Sequence, residues 1–202
     1  MTIKDKLAHY EPKPLGEKGR YAVLLPLIYD VKTDKYQILY QVRSEHISQP
    51  GEVSFPGGRV EDGETFQEAA IRETCEELNI VANQIDIWGE IDYLVHQGRT
   101  VHCFVGKLNI ANWEDISPNE EVARLFTVDV DTLLTENPVY YTVISTLSDA
   151  KDFPFFLVKN RDKYNFGYSK RHIPFYRNLT ENIWGMTAMF THRFTDILKD
   201  LE

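Results

Sequence analysis

The chain predicts an α+β fold or an α/β/α sandwich on three observations. Strand-like runs precede and follow one central helix-forming stretch, and a second helix-forming stretch closes the chain. Apolar residues make up 43% of the 202 positions, enough for a real core. The longest apolar run, Tyr21 to Tyr29, has the length of a buried strand and is too short to span a bilayer.

The elements follow in order. Residues 1 to 19 are polar, with Pro12, Pro14, Gly16 and Gly19, and predict an arm or short helix. YAVLLPLIY is the first strand, with Pro26 marking a local irregularity. Tyr36 to Arg43 returns as its partner after a polar turn. Glu52 to Phe55 is a short strand running into Pro56-Gly57-Gly58, and the central helix spans roughly Thr65 to Leu78. Asp86 to His96 and Thr100 to Leu108 predict a hairpin around Gln97-Gly98-Arg99. Arg124 to Val128 reads as a strand and Asp129 to Leu134 as a short helix. Phe153 to Val158 and Arg171 to Tyr176 look strand-like, flanking a polar stretch from Lys159 to Lys170 read as a hairpin tip. Ile183 to Leu198 reads as a helix, with Met186, Met189, Phe190, Phe194 and Ile197 at helical spacing as a packing face. The expected organisation is a single domain over 1–202. In it, 1–19 is an N-terminal arm and 139–202 a C-terminal extension packed on the same domain.

A net charge of −9 argues against nucleic-acid or anionic-membrane partners. Cys75 and Cys103 are expected as buried thiols, since two cysteines make neither a disulfide framework nor a zinc site. MTIKDKLAHYEPKP lacks the apolar core of a secretory signal, so a cytoplasmic location is expected.

Function is concentrated in GRVEDGETFQEAAIRETCEELNI, Gly58 to Ile80. Five glutamates (Glu64, Glu68, Glu73, Glu76, Glu77) fall within fourteen residues. Like charges three or four apart on a helix repel. A solvated acidic helix would not explain the glycine turn that precedes it, so cation binding is the better reading. Phe66, Ala70, Thr74 and Leu78, flanked by Ile71 and Cys75, form the expected packing stripe. Glu73, Glu76 and Glu77 project together from another face, and Arg72, four after Glu68, offsets part of the charge. Carboxylate oxygens are hard ligands that suit Mg²⁺ or Mn²⁺ meeting a phosphate.

The order of residues resembles the Nudix hydrolase signature, which Gly58, Glu64, Arg72, Glu73, Glu76, Glu77 and Ile80 match at its spacings. Thr74 stands for an aliphatic residue and Asn79 for the closing glycine. Thr keeps a methyl for packing, and Asn tolerates the left-handed conformation. The resemblance implies a mixed sheet between helices, with the signature helix at the rim of a cleft. It also implies Glu73, Glu76 and Glu77 as metal ligands, and Glu73 or Glu121 as catalytic base, with Glu120 beside it.

The approach to the signature resembles the motif of coenzyme A diphosphatases through Arg43-Ser44, Gly51 and Phe55-Pro56-Gly57-Gly58. Glu121-Val122 and Ile183-Trp184-Gly185 with Thr187-Ala188 resemble further stretches of those enzymes. Three departures stand out. The loop from Arg43 to Gly51 is one residue short. Ser48 and Pro50 replace a basic residue and a histidine. Leu39-Tyr40-Gln41 replaces Leu-Leu-Thr. Arg43 is the expected phosphate binder, because guanidinium pairs bidentately with phosphate. Gly57 and Gly58 let the backbone approach the substrate. The implied activity is hydrolysis of the diphosphate of coenzyme A or a derivative to adenosine bisphosphate and phosphopantetheine. ADP-ribose, NADH or a sugar nucleotide is the alternative substrate, and a non-catalytic nucleotide sensor is a further alternative. Dimerisation is common among related folds, so a homodimer stays open, though no stretch marks an interface.

Overall fold

The computed structural model describes residues 2–12, 14–146, 153–159 and 168–200. The chain divides into two compact units, Met1–Asp131 and Thr132–Glu202. The first opens with α1 (Ile3–Ala8), a short exposed helix on which Thr2 and Asp5 cap each other. It continues through β1 (Gly19–Asp30), β2 (Lys35–Arg43), β3 (Val53–Ser54) and β4 (Gly57–Arg59) to α2 (Phe66–Leu78). Next come β5 (Ile85–Glu90), β6 (Leu94–His96), β7 (Arg99–Leu108) and β8 (Val122–Asp129).

These strands form one mixed sheet in the order β3-β2-β1-β7-β5, with β4 on β1, β6 on β7 and β8 on β2. β1 and β7 run parallel from Gly19↔Arg99 to Leu27↔Lys107, and the other pairs are antiparallel. β1 is buried on both faces from Leu24 to Ile28, which is why it reads as an unbroken apolar run. It passes through Pro26 without a break. On one edge, β4 pairs with Tyr21 to Val23 and β2 takes over only at Leu27. The N–H that proline lacks therefore falls in the gap between two partners.

α2 starts at the N-cap Thr65, whose hydroxyl accepts from the Glu68 N–H while Glu68 accepts from the Thr65 N–H. It ends at Asn79 with φ 52° and ψ 44°, the left-handed conformation expected of a residue in the glycine position. Ala69, Ala70 and Leu78 lie against Ala22, Leu24, Ile28 and Phe104 in the core. The buried stripe is shifted from the expected one: Ala69 is fully covered, while Phe66, Ile71 and Cys75 are only half-buried. Cys75 and Cys103 are both free thiols. Burial is the main cause that raises both pKa values, which disfavours the thiolate.

α3 (Val130–Thr135) carries the chain from the first unit into the second. There β9 (Val139–Thr146), β10 (Tyr168–Tyr176) and β11 (Ile183–Trp184) form an antiparallel sheet in the order β11-β10-β9, and α4 (Gly185–Asp200) packs on β10 and β11. Three expectations change here. Phe153 to Val158 is no strand: a 3-10 turn occupies Phe155–Leu157 after Pro154. Ile183 and Trp184 pair with Phe175 and Tyr176 rather than starting the helix, and Gly185 at φ 63° makes the corner. The α4 face that is buried is Thr187, Ala188, Phe190, Thr191, Phe194 and Thr195, while Met186 and Met189 are exposed. Thr191 satisfies its hydroxyl on the Thr187 carbonyl, so small polar residues enter the core without an orphan group. The hairpin tip expected at Lys159 to Lys170 lies largely outside the described residues.

Leu24 is fully buried in the core under α2. Leu24→Ala should cost about 3 kcal/mol and lower the Tm by roughly 6–12 °C, read by calorimetry.

Candidate active site

The site is built where α2 passes the turn between β3 and β4. Phe55 is buried and stacks on Tyr40 of β2 with ring centroids 5.2 Å apart, and the Pro56 carbonyl accepts from the Leu24 N–H at 2.9 Å. Those two contacts press Gly57 and Gly58 against β1 and α2. A Cβ on Gly57 would collide with the backbone of Ala22 and Val23. A Cβ on Gly58 would run into the Glu73 carboxylate. Close approach to backbone requires glycine at Gly57, whereas at Gly58 a side chain would displace the Glu73 carboxylate.

Glu77 faces inward from α2 and is only 4% exposed. Its Oε2 accepts from the Gly57 N–H at 3.0 Å and from the Gln41 side-chain amide at 3.0 Å. Burial is the main cause that pushes its pKa up to about 7, and the charges of Glu73 and Glu121 act in the same direction. Glu73 is half-buried, and desolvation raises its pKa as well, against the pull of Arg72.

Glu76 is the most exposed of the three, its side chain 56% exposed. The three signature carboxylates thus share a helix but not an environment, because positions one residue apart lie about 100° apart around the axis. Arg72 joins two of them. Its Nε and Nη2 hold Glu64 at 2.9 and 3.1 Å, while Nη1 reaches Glu73 at 3.0 Å and Glu76 at 3.4 Å. Glu68, expected beside Arg72, is used in the helix cap instead. Glu64 is the partner the spacing did not reveal, because it precedes the helix and reaches Arg72 from the turn.

Glu121 arrives from the other side. Its carbonyl accepts from the Ser44 N–H at 2.9 Å, just after β2. The β2–β8 pairing shifts register between Val42 and Arg43, a bulge next to Glu121. The helix end holds the same loop: the Glu77 carbonyl accepts from the Asn119 N–H at 2.8 Å, and the Asn79 amide donates to the Ser117 carbonyl at 2.8 Å. Glu73, Glu77 and Glu121 are therefore within electrostatic reach of one another, and it is Glu121 rather than Glu120 that bears on the helix. Arg43 folds onto its own loop, donating from Nε to the Ser48 carbonyl at 2.7 Å and from Nη2 to the Ser48 hydroxyl at 3.2 Å.

A NUDIX domain model matches residues 19–147 of the chain. Nudix hydrolase 3 of Caenorhabditis elegans is 30% identical over 182 residues, 88% of this chain and 72% of that protein. The mouse peroxisomal coenzyme A diphosphatase NUDT7 is 30% identical over 160 residues, 75% of this chain and 66% of that protein. The mouse mitochondrial coenzyme A diphosphatase NUDT8 is 26% identical over 196 residues, 95% and 83% of the two chains. Among solved structures, a MutT/nudix family protein from Enterococcus faecalis matches with TM-score 0.53 at 12% identity, covering 98% of this chain and 70% of that one. The chain belongs to the Nudix hydrolases, α+β enzymes that act on phosphorus-containing acid anhydrides. No helix among the described residues is long and apolar enough to cross a membrane.

Nudix hydrolases use divalent cations. Among the described residues, no three carboxylate, histidine or cysteine side chains stand ready-made as a cation cage. The donor chemistry nevertheless fits such an ion. Glu77 is a buried carboxylate whose two hydrogen-bond donors are neutral, and the neighbouring charges that raise its pKa are both negative. A cation is what this arrangement lacks, since a buried charge is costly unless paired.

One consequence is measurable without ligand. The folded pKa of Glu77, about 7, lies above its ordinary value of 4.5, so the folded state binds the extra proton between those pH values. Stability of the metal-free protein should therefore fall as pH rises from about 4.5 to about 7. Glu77→Gln should flatten that slope and be the more stable form at pH 8, read by urea unfolding in EDTA.

Proposed function

We propose that the protein is a Mg²⁺- or Mn²⁺-dependent diphosphatase that cleaves coenzyme A or a derivative to adenosine bisphosphate and phosphopantetheine. The observation that carries the reading is the buried Glu77 carboxylate, held by the Gly57 N–H and flanked by Glu73 and Glu121. The coenzyme A assignment leans on the relatives that bear that name and on Arg43-Ser44, Gly51 and Phe55 to Gly58.

In this reading Glu73, Glu76 and Glu77 hold the cation. When bound, it neutralises diphosphate oxygens and acidifies a water for in-line attack. Arg72 orients Glu73 and Glu76 and stabilises their charge. Glu73 or Glu121 accepts the proton of the attacking water; they lie on separate segments, α2 and the loop before β8, within electrostatic reach of each other. Arg43, together with the Gly57-Gly58 backbone, binds the substrate phosphates. The partner is thus a small nucleotide, with no nucleic acid and no membrane. A cytoplasmic location is part of the same reading, and the peroxisome and mitochondrion belong to the named relatives.

One observation favours a second substrate. Ser48 engages the Arg43 guanidinium in the shortened loop, so this loop offers phosphate a different surface from the basic one of the motif it resembles. ADP-ribose, NADH or a sugar nucleotide is then the alternative.

Hydrolysis of coenzyme A, ADP-ribose, NADH and a sugar nucleotide with Mg²⁺ or Mn²⁺, products resolved by chromatography, decides between them. Release of phosphopantetheine as the preferred reaction is expected. Preference for another substrate rejects coenzyme A, and binding with no turnover of any rejects catalysis. Glu77→Gln should lower kcat by a factor of about 100 or more while the fold persists.

A further inference from the structure

Gln41 is a buried polar side chain beside the site, 1% exposed in the middle of the sheet. β2 runs between β3 and β8 there, with Gln41 opposite both Ser54 and Leu125. The preceding residue, Tyr40, is clamped between the rings of Phe55 and Phe126, at centroid distances of 5.2 and 5.3 Å. Side chains alternate along a strand, so this clamp fixes the backbone from one face and directs Gln41 to the other. There the Gln41 amide donates to Glu77 Oε2 at 3.0 Å and lies 3.4 Å from the Ser54 hydroxyl. Its own carbonyl, Oε1, is buried and has no hydrogen-bond partner.

A buried carbonyl without a partner costs free energy, and an apolar side chain of equal length would fill the same space without that cost. The amide must therefore be retained for what its two ends do. We infer that Gln41 is a positioning residue for the cation site, fixing the Glu77 carboxylate with its amide and offering Oε1 to a water carried in with the cation. Two donors from different elements, Gln41 on the sheet and Gly57 in the turn, fasten the same oxygen of Glu77. That fixes the carboxylate plane and commits Oε1 of Glu77 to the ion. Threonine, the residue at this place in the motif that Leu39 to Gln41 departs from, has a side chain two atoms shorter. The departure thus lengthens the reach of β2 toward α2.

The inference rests on the cation reading given above, and the test separates the two. Gln41→Met keeps length and volume and removes both hydrogen-bonding ends. Mn²⁺ binding to the full chain is measured by calorimetry and by the loss of the free-Mn²⁺ paramagnetic resonance signal. Thermal unfolding is recorded in EDTA. We expect Gln41→Met to raise the Mn²⁺ Kd at least tenfold while the Tm in EDTA stays within a few degrees of the parent. Its activity should need more Mn²⁺, with kcat recovering at saturation. If Gln41→Met binds Mn²⁺ as tightly as the parent while Glu77→Gln does not, the role of Gln41 is overturned and the cation site stands. If Glu77→Gln also binds as tightly, the cation reading itself fails. Gln41→Leu is the second variant. If neither variant folds, Gln41 is a structural group of the sheet and the inference is overturned.

Discussion

The site depends on one constraint: a carboxylate has been taken out of water and tied to a glycine turn. Glu77 sits on the side of α2 that also carries Thr74 and Leu78 into the core, and its carboxylate is buried with them. The surroundings follow from that placement. Gly57 must lack a side chain to bring its N–H within reach, Phe55 must pack to hold the turn down, and β2 must supply a second donor. The energetic cost is borne by the helix–sheet core, where Ala69 and Ala70 bring α2 close to β1.

Arg72 acts differently. It stands at the wet edge, where ion pairs are individually weak, and gains weight through its number of partners: two oxygens of Glu64, one each of Glu73 and Glu76, and the Arg59 carbonyl at 3.0 Å. The guanidinium therefore ties the turn before the helix to the acidic face of the helix. Glu77, one residue beyond Glu76, is outside that network and belongs to the sheet. One glutamate pair in the sequence is thus split between a solvated ion-pair network and a buried polar contact.

Much of the fold was legible because periodicity and turn chemistry agree. Thr65 and Glu68 announce the start of α2, Asn79 its end, and the run Leu24 to Ile28 a strand covered on both sides. The second unit was harder. β9 carries exposed Tyr140, Tyr141, Val143 and Ile144 with no polar alternation, so no period marks it as a strand. In α4, threonines take buried places that the methionines were expected to fill, which only their back-bonded hydroxyls explain. In the site, the motif revealed the carboxylates but not their unequal burial. No spacing rule connects Gln41 with Glu77, 36 residues away, because the contact exists only once helix and sheet pack. Arg43 was legible as a cation beside the turn, but its engagement with Ser48 arises from the shortened loop.

The tether between α2 and the segment before β8 has a bearing on how this chain can change over time. Ser117 and Asn119 are bonded to the end of the helix, and Ser44 holds Glu121, so the last stretch before β8 is fastened to both α2 and the end of β2. The stretch from Ile110 to Ile116 is held differently: Ile110, Trp113 and Ile116 pack against the core cluster that includes Ala69, Ala70 and Leu78 of α2. Change can accumulate there in the polar residues between those three anchors without touching the hydrogen bonds that place Glu121, so the stretch is constrained by packing and the site by hydrogen bonding.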